Sequence, residues 1–94
     1  MDAGKNAARQ VGLAILASLR GELGSLNNVK RLVKLLGFVN CVADFKEQPA
    51  VINGCSELFV EVFGEDKGIG VRSAVGTNVL PGNIAVEIEG VVEI

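Results

Sequence analysis

Two amphipathic helical stretches and a C-terminal strand–turn–strand predict a small α+β domain with helices covering one face of a sheet. Three observations carry that expectation. Apolar residues recur at three- and four-residue spacing near the start, do so again in the middle, and alternate with polar residues near the end. The 94 residues fit a single domain, residues 1–94, near the lower size limit for a self-sufficient core.

In the first stretch Ala8, Val11, Ile15 and Leu19 share a helical face, with Lys5, Arg9 and Arg20 elsewhere on the wheel. Gly24 stands where a C-cap glycine belongs and "GSLNN" reads as a turn, which predicts a helix over roughly residues 5–23. The next segment, "VKRLVKLLGFVNCVA", is open on periodicity alone. Val29, Leu32, Val33 and Leu36 match a helix that Gly37 would cap, and this spacing is slightly favoured. As a strand, Val29, Val33, Leu35, Val39 and Cys41 share a face with Arg31 and Gly37, and the valine-rich second half leans that way.

The middle stretch, "ADFKEQPAVINGCSELFVEVFGE", predicts a second helix. Asp44 and Glu47 have capping-box spacing, and Pro49 suits a first turn. Ile52, Cys55, Phe59, Val62 and Phe63 form its buried stripe, and Gly64 ends it. "GEDKGIG" then reads as a loop. It is not a phosphate cradle, because it lacks the Lys-Ser/Thr ending and no helix is expected after it. The remainder is strand, turn, strand: Asn78, Gly82 and Asn83 supply turn chemistry around Pro81. In the last strand Ile84, Val86, Ile88, Val92 and Ile94 point one way, and Ala85, Glu87, Glu89, Val91 and Glu93 the other.

Composition excludes several functions. The chain is 49% apolar, yet its aromatic residues are four phenylalanines, so valine, leucine, isoleucine and alanine must build the core. So apolar a short chain is expected to bury surface between subunits. The net charge of -2 argues against nucleic acid, and the basic cluster Lys30, Arg31 and Lys34 reads as a solvated edge. With no histidine, a zinc site or a Cys–His nucleophile has no ligand set to draw on, and Cys41 and Cys55 read as free thiols in a reducing compartment. The run "VGLAILASL" is far shorter than the ~18–20 residues that span a bilayer. The start carries Asp2 and no hydrophobic leader core, so a cytoplasmic protein is expected. No metal or organic cofactor, nucleic acid or membrane is expected as a partner.

The stretch "RSAVG…LP…VEIEG" resembles the C-terminal signature of the YjgF/Rid family, the reactive-intermediate deaminases. "EQPAVINGCSELFVEVFGE" and "LNNVKRLVKLLGFV" are similar to that family's second helix and the strand before it, and the resemblance runs from about Ala8 to Ile94. It implies a chorismate-mutase-like (YjgF-like) α+β fold, with two helices packed on one face of a β-sheet, and it makes the open segment a long strand. It further implies a homotrimer with clefts between subunits. Chains of that family begin with several strands before the first helix, including Tyr-Ser and Ser-Gly-Gln segments near the pocket. This sequence starts at the first helix and contains no tyrosine, so it reads as a fragment, an N-terminally shortened form or a reduced relative, with an unpaired sheet edge expected.

The activity the resemblance implies is hydrolysis of short-lived enamines and imines, such as 2-aminoacrylate, to a 2-oxo acid and ammonia. By the family motif Arg72 binds the substrate carboxylate, a task suited to the planar guanidinium fork. The residue fifteen positions later, Glu87, matches the group that orients water or relays a proton. The small ligand would be a 2-imino or 2-oxo acid. Simpler roles compete: Arg72 as an inter-strand or inter-subunit salt bridge to Glu87 or Glu89, and Glu89 and Glu93 as solvated or interfacial carboxylates. Ser73 has no base beside it and is no nucleophile. A non-catalytic carboxylate-binding or structural trimer is the alternative function, and endoribonuclease activity a third.

Overall fold

A computed structural model describes residues 2–94. The segment that periodicity left open is a strand, β1 (Arg31–Asn40), and it is the middle of a three-stranded sheet. β2 (Val71–Thr77) pairs with it in parallel on one side, and β3 (Val86–Glu93) antiparallel on the other. A parallel pair needs a crossover, and the helix α2 (Gln48–Phe63) supplies it. The first helix, α1 (Asp2–Leu23), packs beside α2; α1 lies over β3, and α2 over β1 and β2. The architecture is the expected α+β one, helices on one face of a sheet.

Tertiary pairing decided β1 against its local periodicity. Leu32, Leu35, Gly37 and Val39 are buried under the helices, while Lys34, Leu36, Phe38 and Asn40 point to the open face. The register slips between Leu32 and Lys34, a bulge with Val33 as the extra residue. The expected shared face of Arg31, Val33 and Leu35 is therefore broken: Leu32 is buried and Arg31 is exposed. Gly37 is where the sheet meets α2 most closely; a Cβ there would lie 2.5 Å from Ile52 Cδ1.

The seam between the helices uses small residues that a hydrophobicity pattern overlooks. The buried line on α1 is Ala8, Gly12 and Leu16, at four-residue spacing, while Val11, Ile15 and Leu19 are only half-buried. Gly12 faces Leu58 and Cys55, and Gly54 of α2 backs directly onto the Lys5 carbonyl, with no room for a Cβ. The fully buried core around this seam is Val51, Ile52, Cys55 and Phe59 of α2 with Leu32 and Leu35 of β1. Each large aliphatic or aromatic side chain removed from water there contributes about 1.5–3 kcal/mol.

Three local expectations need correction. No capping box forms: Glu47 is the N-cap of α2, its side chain makes no capping bond, and Asp44 lies in the preceding turn. Pro49 does occupy the first turn. Val62, placed in the buried stripe, is 41% exposed; Val51, Gly54 and Leu58 are the additional buried positions. And "GEDKGIG" is not all loop, because Glu65–Gly68 forms a one-turn helix, α3. Gly64 between them has φ 84°, a conformation that glycine adopts without strain, and this stops α2 cleanly. The β2–β3 connection turns through Pro81–Asn83, with positive φ at Gly82 and Asn83. No described helix is long and apolar enough to cross a membrane.

Candidate functional site

The sheet register fixes which way each candidate points. Arg72 pairs with Leu35, a buried residue, so its side chain leaves β2 on the helix-covered side. There Arg72 Nη1 donates to Ser56 Oγ at 3.0 Å and Nη2 to the Pro49 carbonyl at 3.4 Å. Both acceptors belong to α2. The guanidinium therefore bridges the edge strand to the helix and lines a cleft of about 150 Å³ with Leu32, Leu35, Asn53, Ser56 and Ile69. Two neutral acceptors occupy two of its five N–H donors and leave three for a ligand.

Glu87 lies elsewhere. It pairs with Phe38 and Glu89 with Leu36, both open-face positions, so these carboxylates project from the face opposite Arg72. β3 is also separated from β2 by the whole width of β1, about 10 Å between strand axes. The expectation that Arg72 and Glu87 share one polar face fails within a single chain. Consecutive positions along a strand alternate faces. Arg72 and Glu87 have opposite parities, but parity cannot be carried through the intervening turn, so the sequence left their relation unset.

The inter-strand salt bridge expected of Arg72 does not form within the chain either. The ion pairs among the described residues are Lys5–Glu57 at 3.0 Å, Arg9–Glu61 at 3.1 Å and Arg31–Glu93 at 3.0 Å, none involving Arg72. Glu93 is thus tied to Arg31 across β1 and β3, and Arg31 does not stand as a free member of a basic cluster. Glu87 is half-buried on the open face and Glu89 is exposed. Ser73, opposite Leu36, shares that open face with them.

Neither cysteine is disulfide-bonded. Cys55 is fully buried in the helix seam, and burial raises its thiol from 9.0 to about 11. Cys41 is half-buried with Gln48 Nε2 3.8 Å from its sulfur. No group of three or more potential metal-ligating side chains gathers among the described residues. Two wider clefts lie at the far end of the sheet, one of about 280 Å³ by Val39 and Phe45, another of about 320 Å³ by Gln48 and Thr77. Neither is lined by a charged side chain, whereas the Arg72 cleft is.

Sequence reasoning missed Ser56, Asn53 and Ile69. A signal for the first two was present: Pro49, Asn53, Ser56 and Val60 follow one another at four-, three- and four-residue steps, one ridge of α2. Asn53 and Ser56, two uncharged polar residues one turn apart on that ridge, mark it as a surface facing something other than core.

The chain is 45% identical over 91 residues to "Protein TCP17" of Trypanosoma cruzi, covering 97% of this chain and 57% of that protein. Among solved structures, Atu1372 of Agrobacterium tumefaciens, a protein of unknown function, superposes with a TM-score of 0.95 at 44% identity, over 99% of this chain and 60% of that one. A protein from Shewanella oneidensis MR-1 that bears the name "putative endoribonuclease" superposes with a TM-score of 0.93 at 28% identity, over 99% of this chain and 61% of that one. The chain thus spans about three-fifths of the length of these relatives. No protein-family model matches it. The fold is the YjgF-like α+β fold, two main helices on one face of a sheet.

Proposed function

We propose that the chain supplies the substrate-binding and catalytic core of a Rid-type hydrolytic deaminase that converts reactive enamines and imines to 2-oxo acids and ammonia. One observation carries this reading. Arg72 has no carboxylate partner among the described residues and is held over an apolar cleft with three N–H donors to spare. A guanidinium so placed suits a small carboxylate bidentately.

The reaction asks little more of the protein. The enamine tautomerises to the imine, water adds to its C2 carbon, and the carbinolamine expels ammonia to leave the 2-oxo acid. A carboxylate that takes a proton from the water and returns it to the leaving nitrogen is enough, and Glu87 has that role here. Because Glu87 projects from the face opposite Arg72, it meets the substrate only if a second copy brings its own Glu87 to the cleft. A homotrimer fits this need. The open face carries Leu36, Phe38, Val75 and Val91 beside the glutamates, and Val75 and Val91 are 41% and 54% exposed.

The test is ammonia release from freshly generated 2-aminoacrylate, with calorimetry of 2-oxobutyrate as a ligand. Arg72→Ala should lose about 1.5–3 kcal/mol of binding, the worth of a hydrogen bond to a charged group, and Arg72→Lys should recover little of it. Glu87→Gln should keep binding and lose turnover. Co-assembling Arg72→Ala with Glu87→Gln subunits should restore some turnover, since mixed oligomers contain clefts with both groups intact. Binding without turnover in the wild type would make the chain a carboxylate-binding relative, and no binding at millimolar concentration would end the proposal. The name of the Shewanella protein favours a second reading, RNA cleavage, which the same preparation tests on a labelled RNA.

A further inference from the structure

We infer that Ser56 is a positioning residue for Arg72: its hydroxyl oxygen fixes the guanidinium over the cleft that both residues line. The inference rests on the reading of Arg72 as the ligand's carboxylate anchor, but its geometry is independent of the ligand's identity. Arg72 springs from β2, an edge strand with a neighbour on one side only, and is itself an exposed residue. A long side chain at such a place would sample many rotamers, and holding it in one of them before a ligand arrives removes that entropy cost from binding. The Pro49 carbonyl contact, at 3.4 Å, is long and does not hold it alone. The 3.0 Å contact to Ser56 does.

Ser56 suits the task because its backbone is anchored by core packing. It stands in α2 between Cys55 and Leu58, both buried in the core, so the hydroxyl is placed by the best-packed helix of the domain. Serine is a mediocre helix former, and an alanine at this position would favour the helix. The hydroxyl accepts from Nη1 and keeps its own proton, which remains free to donate.

Ser56→Ala and Ser56→Thr in the intact oligomer test this. Ser56→Ala should weaken 2-oxobutyrate binding and raise KM about five- to tenfold, the scale of one hydrogen bond, with kcat little changed. Its melting temperature should hold or rise, as a purely structural role for Ser56 would not allow. Ser56→Thr keeps the hydroxyl and should restore KM. Nitrogen NMR of the Arg72 guanidinium supplies a readout that needs no ligand: slow rotation about its Cζ–Nη bonds in the wild type, fast rotation in Ser56→Ala. Unchanged KM and Kd in Ser56→Ala, with a wild type that binds and turns over, overturns the positioning role and leaves the deaminase reading standing. Free guanidinium rotation in the wild type overturns it even where no 2-oxo acid binds.

Discussion

The two faces of the sheet are built from the same three strands and differ in almost everything else. Under the helices the contacts are so close that glycine is required: Gly37 meets Ile52, and Gly54 meets the α1 backbone. On the open face, Leu36, Phe38, Val75 and Val91 stand beside Lys34, Glu87 and Glu89, and among the described residues no helix packs over them. One face holds the fold together. The other sets apolar side chains beside acidic and basic ones and adds little to the packing of this chain; it is the face on which the proposed assembly would form. Arg72 is the exception that links them, an ionic group on the packed side, at the edge where packing ends.

The sharpest way to break this contrast is a methyl group in the helix seam. Gly54→Ala puts a Cβ onto the Lys5 carbonyl, and the only relief is to push α1 and α2 apart. Overpacking of this kind costs about 1–3 kcal/mol and occasionally more, and here the top of that range or beyond is expected. Urea unfolding followed by far-UV circular dichroism reads it directly. A midpoint equal to wild type would mean that the seam is looser than its geometry.

The packed face also predicts a pH dependence. Cys55 titrates at about 11 in the folded chain against 9.0 when unfolded, because burial penalises the thiolate. The sign follows from proton counting. Between those two values the unfolded chain loses its thiol proton and the folded one keeps it, so ionisation draws the equilibrium toward unfolding. This contribution is intact below pH 9 and is lost as pH rises toward 11, with a span of about 2–3 kcal/mol. Cys55→Ala should flatten that region of the stability–pH curve, measured as the difference from wild type so that lysine titration cancels. A thiol reagent should label Cys41 well before Cys55.

These contrasts explain what was legible in the sequence. The C-terminal ends of the two main helices were, because Gly24 and Gly64 are punctuation with a backbone cause; the starts were not, since α1 begins at Asp2 and no capping box opens α2. The face assignment of β3 was as well: Val86, Ile88 and Val92 turn toward the helices, and Glu87, Glu89 and Val91 away, as alternation requires. What alternation could not reveal was the bulge at Val33, since an extra residue leaves no mark in composition and shifts everything before it to the other face. The same limit hid the site. Whether Arg72 and Glu87 share a face depends on the path of Pro81–Asn83 and on which strand each edge pairs with, and both are tertiary facts. The glycine seam escaped for another reason: a hydrophobic pattern gives no weight to the residue that packs by being absent.

On the open face the expected effects on the subunit are small. Val75→Lys places a charge among Phe38 and its neighbours at a position already 41% exposed, so the isolated subunit should change by no more than about 0.5 kcal/mol. Sedimentation should nevertheless show the proposed trimer dissociating, and turnover should fall with it if Glu87 is supplied by a second copy. An unchanged oligomer with full turnover would place the subunit contact elsewhere.

The smallest effect is expected where the charges are most conspicuous. Lys5–Glu57 and Arg9–Glu61 bridge α1 and α2 on their outer surface, at 3.0 and 3.1 Å, directly above the seam in which Gly54 lies. Short distances invite the idea that these pairs clamp the helices together. Their exposure argues otherwise: the side chains are 42% and 58% accessible in one pair and 41% and 60% in the other, so water screens the attraction and each long side chain gives up rotamer freedom to make it. A double-mutant cycle on Arg9 and Glu61 should return a coupling of about 0.2–1 kcal/mol that shrinks further in high salt. The single variants should leave the Gly54→Ala penalty untouched, because that penalty is steric and acts on the backbone beneath. A coupling several times larger, or one insensitive to salt, would mean that the helices are held as much by their charged rim as by the glycine contact, and the contrast between a packed face and a charged one would have to be redrawn inside the helix layer itself.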